Sequence, residues 1–307
     1  MNVNPSLVAS ESVAFYRALG ARDAFGAFDE KDYFLGETAL LAGVAYRILG
    51  DRSASEVWLD RAEAGFRHTV NPSPLLSCIS YQRLALRCEM GRFDEVAELA
   101  PLLARTFERL KMEHDQVKCL FLEAAALRQG GHPEEALPKF HAITEERFFD
   151  YPELRGLAYS NLADIHAEND DYDSATTCYE NAIPLLSKAQ MPAAVAHLKS
   201  VVGDVFEKRG KLGAAISAYQ ESIADYEALG MKTWVAHVRI FLANALLEAG
   251  RAREAEWQTL AALPTIDDEK MANEAVAAVA LLAKSAQARH LDRHALKDVR
   301  NHLRSAR

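Results

Sequence analysis

The feature that most constrains this chain is a ladder of turn-type residues: Gly50, Gly91, Gly131, Asp170, Gly210, Gly250 and His290, separated by 41, 40, 39, 40, 40 and 40 positions. Gly takes a left-handed backbone without a Cβ clash and Asp tolerates it better than most residues, so these types mark helix C-termini where a chain reverses. Five positions after each rung stand Ser55, Val96, Ala136, Ala175, Ala215, Ala255 and Ala295, and four further on Leu59, Ala100, Phe140, Tyr179, Tyr219, Thr259 and Val299. Upstream of the rungs runs a second small series, Gly43, Ala124, Ala163, Gly203, Ala243 and Ala283. Val202 to Ser222 is the clearest copy. Gly203 and Phe206 lie one helical turn apart, Gly210 breaks the pattern, and Ala215, Tyr219 and Ser222 resume it. The unit is helix, turn, helix: small residues let two backbones approach and the large ones fill the space beside them.

Such a period implies one repeat domain over 1–307, each unit packing on its neighbours. Residues 6–28 read as a half-repeat or N-terminal cap helix, with a stripe of Val13, Phe15, Tyr16, Leu19 and Phe25 over Glu11–Phe28 in the second-helix position; either this helix is a natural cap or the chain is a fragment of a longer protein. Stacked hairpins follow over 29–289 and a capping helix over 290–307. In the second repeat the small residue is Ala85, one place late, which predicts a shifted or irregular helix between Pro74 and Glu89. Met112, Met191 and Met231 recur at the joints between repeats as apolar plugs. Each helix should run about 14 to 18 residues, roughly 21 to 27 Å at 1.5 Å per residue.

Composition narrows the function. A chain of 307 residues that is 50% hydrophobic has enough apolar material for a large core. The net charge of −9, from 44 acidic and 35 basic residues, disfavours nonspecific nucleic-acid binding, which needs clustered positive charge. Cys78, Cys88, Cys119 and Cys178 show no Cys-x-x-Cys spacing and read as buried thiols rather than a disulfide framework. The first ten residues lack a signal-peptide pattern, and no run of about 20 apolar residues could span a bilayer. The expectation is a cytoplasmic protein with no membrane or nucleic-acid partner and no cofactor.

The order small, aromatic, small, aromatic, small is carried by Ala163, His166, Ala175, Tyr179 and Ala182, and by Gly203, Phe206, Ala215, Tyr219 and Ser222. This resembles the tetratricopeptide repeat family over nearly the whole chain. The family's usual unit is about six residues shorter, so the chain looks like the long-repeat branch, similar to kinesin light chains and bacterial signalling arrays. It departs in lacking the family's helix-ending proline, its second helices being longer. The resemblance implies an all-α, right-handed α-solenoid of stacked antiparallel helix pairs, about fifteen helices in all, with the first helices lining a concave wall.

Catalytic signatures are missing: there is no His-Glu-x-x-His, phosphate loop or nucleophile elbow. His290 and His294 have metal-site spacing, but the register puts the first in a turn and the second at a helix start, on no common face. Arg293, Lys297, Arg300 and Arg304 share one face of the last helix, either a contact for an anionic partner or a solvated capping surface. What remains is the first-helix wall. In early repeats it is apolar or mixed: Leu40, Val44, Tyr81, Ala85, Phe121 and Ala125. From the fourth repeat it turns polar, through Ser160, Asn161, Asp164 and Glu168, then His197, Ser200, Asp204 and Glu207. His237, Asn244 and Glu248 continue it, and Lys284 closes it.

Carboxylates and amides there can hydrogen-bond the backbone of an extended peptide, a mode the family resemblance also implies for Asn161, Asp164 and Asn244; solvent exposure alone would also make such a face polar. The acidic wall of Asp164, Glu168, Asp204, Glu207 and Glu248 predicts a partner carrying Arg or Lys. The sequence therefore points to a noncatalytic protein-interaction scaffold that binds a peptide or protein segment. The rival expectations are a sensor arm of a larger bacterial signalling or transcription-regulatory protein, and a module that self-assembles through its terminal helices.

Overall fold

The computed structural model describes residues 4–21, 29–67, 69 and 72–305, with side chains for 4–18, 31–67, 69 and 73–288. These residues form fourteen α-helices and no strand. They fall into two compact units, Met1–Arg147 and Phe148–Arg307. The first unit holds α1 (Pro5–Ala21), α2 (Asp29–Ile48), α3 (Arg52–Phe66), α4 (Pro72–Glu89), α5 (Phe93–Arg109), α6 (Glu113–Gln129) and α7 (Pro133–Thr144). The second holds α8 (Pro152–Glu168), α9 (Tyr172–Lys188), α10 (Pro192–Lys208), α11 (Leu212–Ala228), α12 (Lys232–Glu248), α13 (Ala252–Asp268) and α14 (Ala272–Ser305). A 3₁₀ turn, Glu146–Phe148, lies at the boundary. From α8 to α13 every helix is 17 residues long, inside the expected range.

Each rung of the turn ladder from Gly50 to Gly250 has positive φ: 78°, 77° and 88° at Gly50, Gly91 and Gly131, 59° at Asp170, 69° at Gly210 and 74° at Gly250. The reversals between repeats use the same device, at Lys111, Gln190, Gly230 and Lys270. Most of these escape notice in sequence because Lys and Gln are not turn types. The residue after each is Met112, Met191, Met231 or Met271, whose N–H donates back to the carbonyl of Phe107, Leu186, Tyr226 or Ile266 at 2.9–3.0 Å. This is the helix-ending bond that closes a left-handed cap. The side chains of Met112, Met191 and Met231 pack on the apolar clusters beside them, as their recurrence predicted, and Met271, which the sequence reading did not single out, does the same.

His290 breaks the ladder. The helix runs through it, so α14 extends for 34 residues and no separate capping helix begins there. His290 and His294 therefore lie on one helix, correcting their placement in a turn and a helix start; their side chains, like those of Arg293, Lys297, Arg300 and Arg304, lie outside the described ones. The missing reversal has a local consequence. Ala283, expected at a close-packed position, is exposed, while Ala278, Leu281 and Ser285 are the buried residues of that helix among those described.

In the hairpins α2/α3, α6/α7, α8/α9 and α10/α11 the core holds a small–large pair, one member on each helix, whereas in α12/α13 both partners, Ala243 and Thr259, are small and buried. A Cβ on Gly203 would come within 2.5 Å of the Tyr219 ring, and one on Gly43 within 3.0 Å of Leu59. Ala124 and Phe140, and Ala163 and Tyr179, are paired likewise and all buried. The second repeat inverts the sizes: Leu84 holds the first-helix place and Ala100 faces it, both buried in one cluster. That corrects the expectation of a shifted helix. α4 is continuous, and volume is conserved by exchanging the large residue between partners, a swap that close packing tolerates. Beside this series, Glu123 is buried where its equivalents are Ala42, Leu162, Val202 and Leu242 and, in the second repeat, Arg83, and it is ion-paired with Lys139 of the facing helix α7.

α1 packs on the first hairpin, Val13 and Tyr16 against its core and Tyr16 edge-on to Trp58 at 5.1 Å. Phe15, expected in the same stripe, is exposed; Leu19 and Phe25 lie outside the described side chains. The four cysteines are free. Burial pushes the Cys119 thiol up to about 12 and raises Cys78, Cys88 and Cys178 as well, which keeps all four unreactive near neutrality.

Candidate functional site

The second unit gathers the predicted polar residues on its first helices. On α10, Asp204 and Glu207 lie one turn apart, on α12 Asn244 and Glu248 do the same, and Lys284 stands on α14. These five line one cavity of about 690 Å³. Its floor is apolar: Ile240 and Phe241 from α12, Ala277, Ala280 and Leu281 from α14, with Lys208 at the rim. Sequence reasoning missed the floor because it followed polar residues, although Phe241 and Leu281 occupy the place one turn before Asn244 and Lys284.

The carboxylates are held from behind. The Tyr219 hydroxyl donates toward Asp204 Oδ1 at 2.5 Å and also stands 2.9 Å from Glu207 Oε2. Asn244 Nδ2 donates to Glu207 Oε1 at 2.7 Å and lies 3.3 Å from Glu248 Oε1, joining α12 to α10. One hydroxyl hydrogen thus serves two carboxylates in a half-buried setting. Desolvation, reinforced by the neighbouring Glu207 charge and partly offset by the Tyr219 hydrogen bond, raises the Asp204 pKa above the ordinary aspartate range. Burial first, then the Asp204 charge, drives the Tyr219 phenol upward, so it stays protonated as a donor.

The preceding hairpin repeats the arrangement: Tyr179 donates to Asp164 at 2.5 Å. At the place that Glu207 takes in the later hairpin stands Ala167. Asp164 and Asp204 are therefore structural acceptors as well as wall residues. Acid follows the small residue in the two hairpins whose second helix supplies Tyr; Val44, Ala85 and Ala125 accompany Leu59, Ala100 and Phe140. That co-occurrence was visible in the sequence and marks the pair as a lock across the hairpin.

The other predicted residues are placed differently. Asn161 Nδ2 donates to the Leu157 carbonyl one turn back, at 2.9 Å. Ser200 is buried and its hydroxyl bonds the His197 carbonyl at 2.7 Å, which takes it out of the open wall. His237 Nδ1 pairs with Glu274 Oε1 of α14 at 2.8 Å, and that hydrogen bond holds the Glu274 carboxyl below the ordinary glutamate range. His197, Glu168 and Glu248 are exposed and Ser160 is half-buried. In the first unit, Ala85 and Ala125 are buried, and Tyr81 is half-buried with its phenol pushed up to about 12 by desolvation. Those residues are largely spent on packing. Among the described residues no group of three or more His, Cys, Asp or Glu could hold a metal ion, and no helix is long and apolar enough to cross a membrane.

Comparison with family models matches residues 154–228 to the tetratricopeptide repeat. Residues 154–228 carry tetratricopeptide repeats. The matched segment covers α8 to α11, the two hairpins with Tyr–Asp locks, and the same helix-turn-helix register continues on either side of it. No curated protein matches the chain in sequence. Among solved structures, a Rap protein complexed with competence and sporulation factor aligns at 14% identity with a TM-score of 0.62, covering 94% of this chain and 81% of that one. The apo form of RapI aligns at 12% identity and 0.56, covering 83% and 97%. Aspartyl phosphate phosphatase F from Bacillus subtilis aligns at 13% and 0.57, covering 85% and 71%. At these identities the likeness is one of fold: stacked tetratricopeptide-type helix pairs.

Proposed function

We propose that the chain is a noncatalytic protein-interaction scaffold whose second unit takes an extended peptide or protein segment carrying at least one Arg or Lys. The observation that carries this reading is the cavity between α10, α12 and α14, where an apolar floor is edged by Glu207, Asn244 and Glu248. A basic side chain lying over Phe241 would reach Glu207 and Glu248 with its stem on the floor, combining apolar burial with charge-assisted hydrogen bonds. The partner's backbone would be met by Asn244 and by the Asp204 carboxylate, whose two oxygens accept more bonds than one tyrosine supplies. A Rap protein of this fold has been solved in complex with competence and sporulation factor. That precedent of fold also favours a second reading, in which the array is the sensing arm of a signalling protein and the peptide its signal.

The test is calorimetric titration of the chain with short Arg-containing peptides, on wild type and on Glu207→Gln/Glu248→Gln, which keeps side-chain size while removing charge and replacing one acceptor oxygen by a donor. Micromolar binding that weakens about tenfold or more in the double variant, and when the peptide Arg becomes Ala, is expected. Affinity unchanged in the double variant would remove the cavity from the reading.

A further inference from the structure

Beyond the cavity, the inner stripe of α12 continues into a cluster of rings. Trp234, His237, Phe241, Asn244 and Glu248 follow one another at helical spacing of three and four, hence on one face. Trp234 is 41% exposed although its indole is stacked on the buried Tyr226 ring, with centroids 5.7 Å apart and an interplanar angle of 15°. His197 of α10 meets the indole edge-on at 6.0 Å, and His237 does so at 5.8 Å. The hydrogen bond between His237 and Glu274 ties the cluster to α14. The indole is thus fixed by Tyr226 of α11, His197 of α10 and His237 of its own helix, yet keeps apolar surface in water.

A single exposed apolar side chain is ordinary, and Trp257, 61% exposed on the second helix α13, is such a case. Trp234 differs in two respects. It lies on the stripe that carries the cavity floor, and its rotamer is already held. A rigid aromatic side chain loses little entropy when a ligand covers it, the property that enriches Trp among residues dominating binding energy.

Resting on the groove reading above, we propose that Trp234, flanked by His197 and His237, is a second anchor of the same groove, taking a large apolar or aromatic side chain of the bound segment. The charge distribution fixes which end is which. Asp204, Glu207 and Glu248, against Lys208 and Lys284, stand at the cavity, whereas Glu274, bonded to the His237 ring that meets the indole, is committed to that ring. The spacing fixes the ligand. Ten positions separate Trp234 from Asn244, about 15 Å at 1.5 Å per helical residue. An extended peptide advances about 3.3 Å per residue, so the basic and aromatic side chains stand about four or five residues apart. A basic residue alone fills half the site.

A series of otherwise Gly/Ser peptides, with Arg fixed and Phe walked from two to seven positions away on either side, tests this against wild type, Trp234→Ala and Trp257→Ala. The expected result is an optimum at a separation of four or five, about tenfold tighter than the rest, lost in Trp234→Ala and kept in Trp257→Ala, with the need for Arg retained throughout. Trp234→Leu, which keeps bulk but removes the ring, replaces the alanine variant if circular dichroism shows that it has lost helix. Arg-dependent binding that ignores the position of Phe, or an optimum that survives loss of the indole, overturns the second anchor and leaves the groove standing. Failure of every Arg peptide to bind overturns the groove and the anchor with it.

Discussion

The hairpins α2/α3 and α10/α11 solve one packing problem with different chemistry. Both place Gly on the first helix against a large side chain at the same register position of the second, Gly43 against Leu59 and Gly203 against Tyr219. Leu59 ends in methyl groups and the next wall residue is Val44; Tyr219 ends in a hydroxyl that must be satisfied, and the next wall residue is Asp204, which satisfies it. The apolar pair leaves its wall free to be apolar, whereas the aromatic pair recruits a carboxylate onto its wall and, through Glu207 and Asn244, organises the neighbouring helix. Polarity of the candidate site thus begins as a consequence of which large residue fills the core.

The largest expected effect breaks the pair by size. Gly203→Val forces a branched side chain into the Tyr219 ring and should cost about 3 kcal/mol, read as a fall in the urea midpoint. The double variant Gly203→Leu/Tyr219→Ala copies the inverted pair of the second repeat, Leu84 with Ala100, and should recover at least about 1 kcal/mol of that loss. No recovery would mean that the inversion depends on its own surroundings.

A smaller effect separates the two locks. Tyr219→Phe leaves Asp204 and Glu207 facing each other without their shared donor and should cost about 2 kcal/mol. Tyr179→Phe, which removes the hydroxyl that donates to Asp164, should cost about 1 kcal/mol. Equal losses in thermal or urea unfolding would show that the second carboxylate adds nothing.

The smallest effect is in pH dependence, and its sign follows from the direction of the shift. An acid whose folded pKa lies above its unfolded value binds its proton more tightly when folded, so its contribution to stability declines as pH rises between the two values. Asp204 is such a group, and Asp204→Asn should flatten the stability profile just above the ordinary aspartate range. Glu274, held low by His237, has the opposite sign: its contribution is present above the ordinary glutamate value and is lost as pH falls through the lowered one. Glu274→Gln should therefore remove a loss of stability on the acid side. Matching slopes in Asp204→Asn and wild type would contradict the crowded lock.

Much of this architecture was legible in residue spacing, because a left-handed turn admits few residue types and helix packing demands small side chains at fixed intervals. Gly50 to Gly250 and Ser55 to Ala255 therefore marked turns and core before any coordinates. Spacing failed where chemistry did not single out a residue type. Lys111, Gln190 and Lys270 take the turn conformation although nothing in their side chains asks for it, their reversals being closed by bonds to buried helix ends. At His290 the expected turn gave way to helix among neighbours that are mostly good helix formers.

For the site, sequence by itself determined which residues share the first-helix face, since helical periodicity sorts Asp204, Glu207, Asn244 and Glu248 from the core residues between them. Only the tertiary structure decided how they are used. It spends an oxygen of Asp204 on Tyr219, buries Ser200, pairs His237 with Glu274, and slides Phe241 and Leu281 beneath the acidic rim. The physical reason is that a hydrogen bond or an apolar floor is set by distances between helices that are remote from one another along the chain. Periodicity within one helix carries no record of those distances.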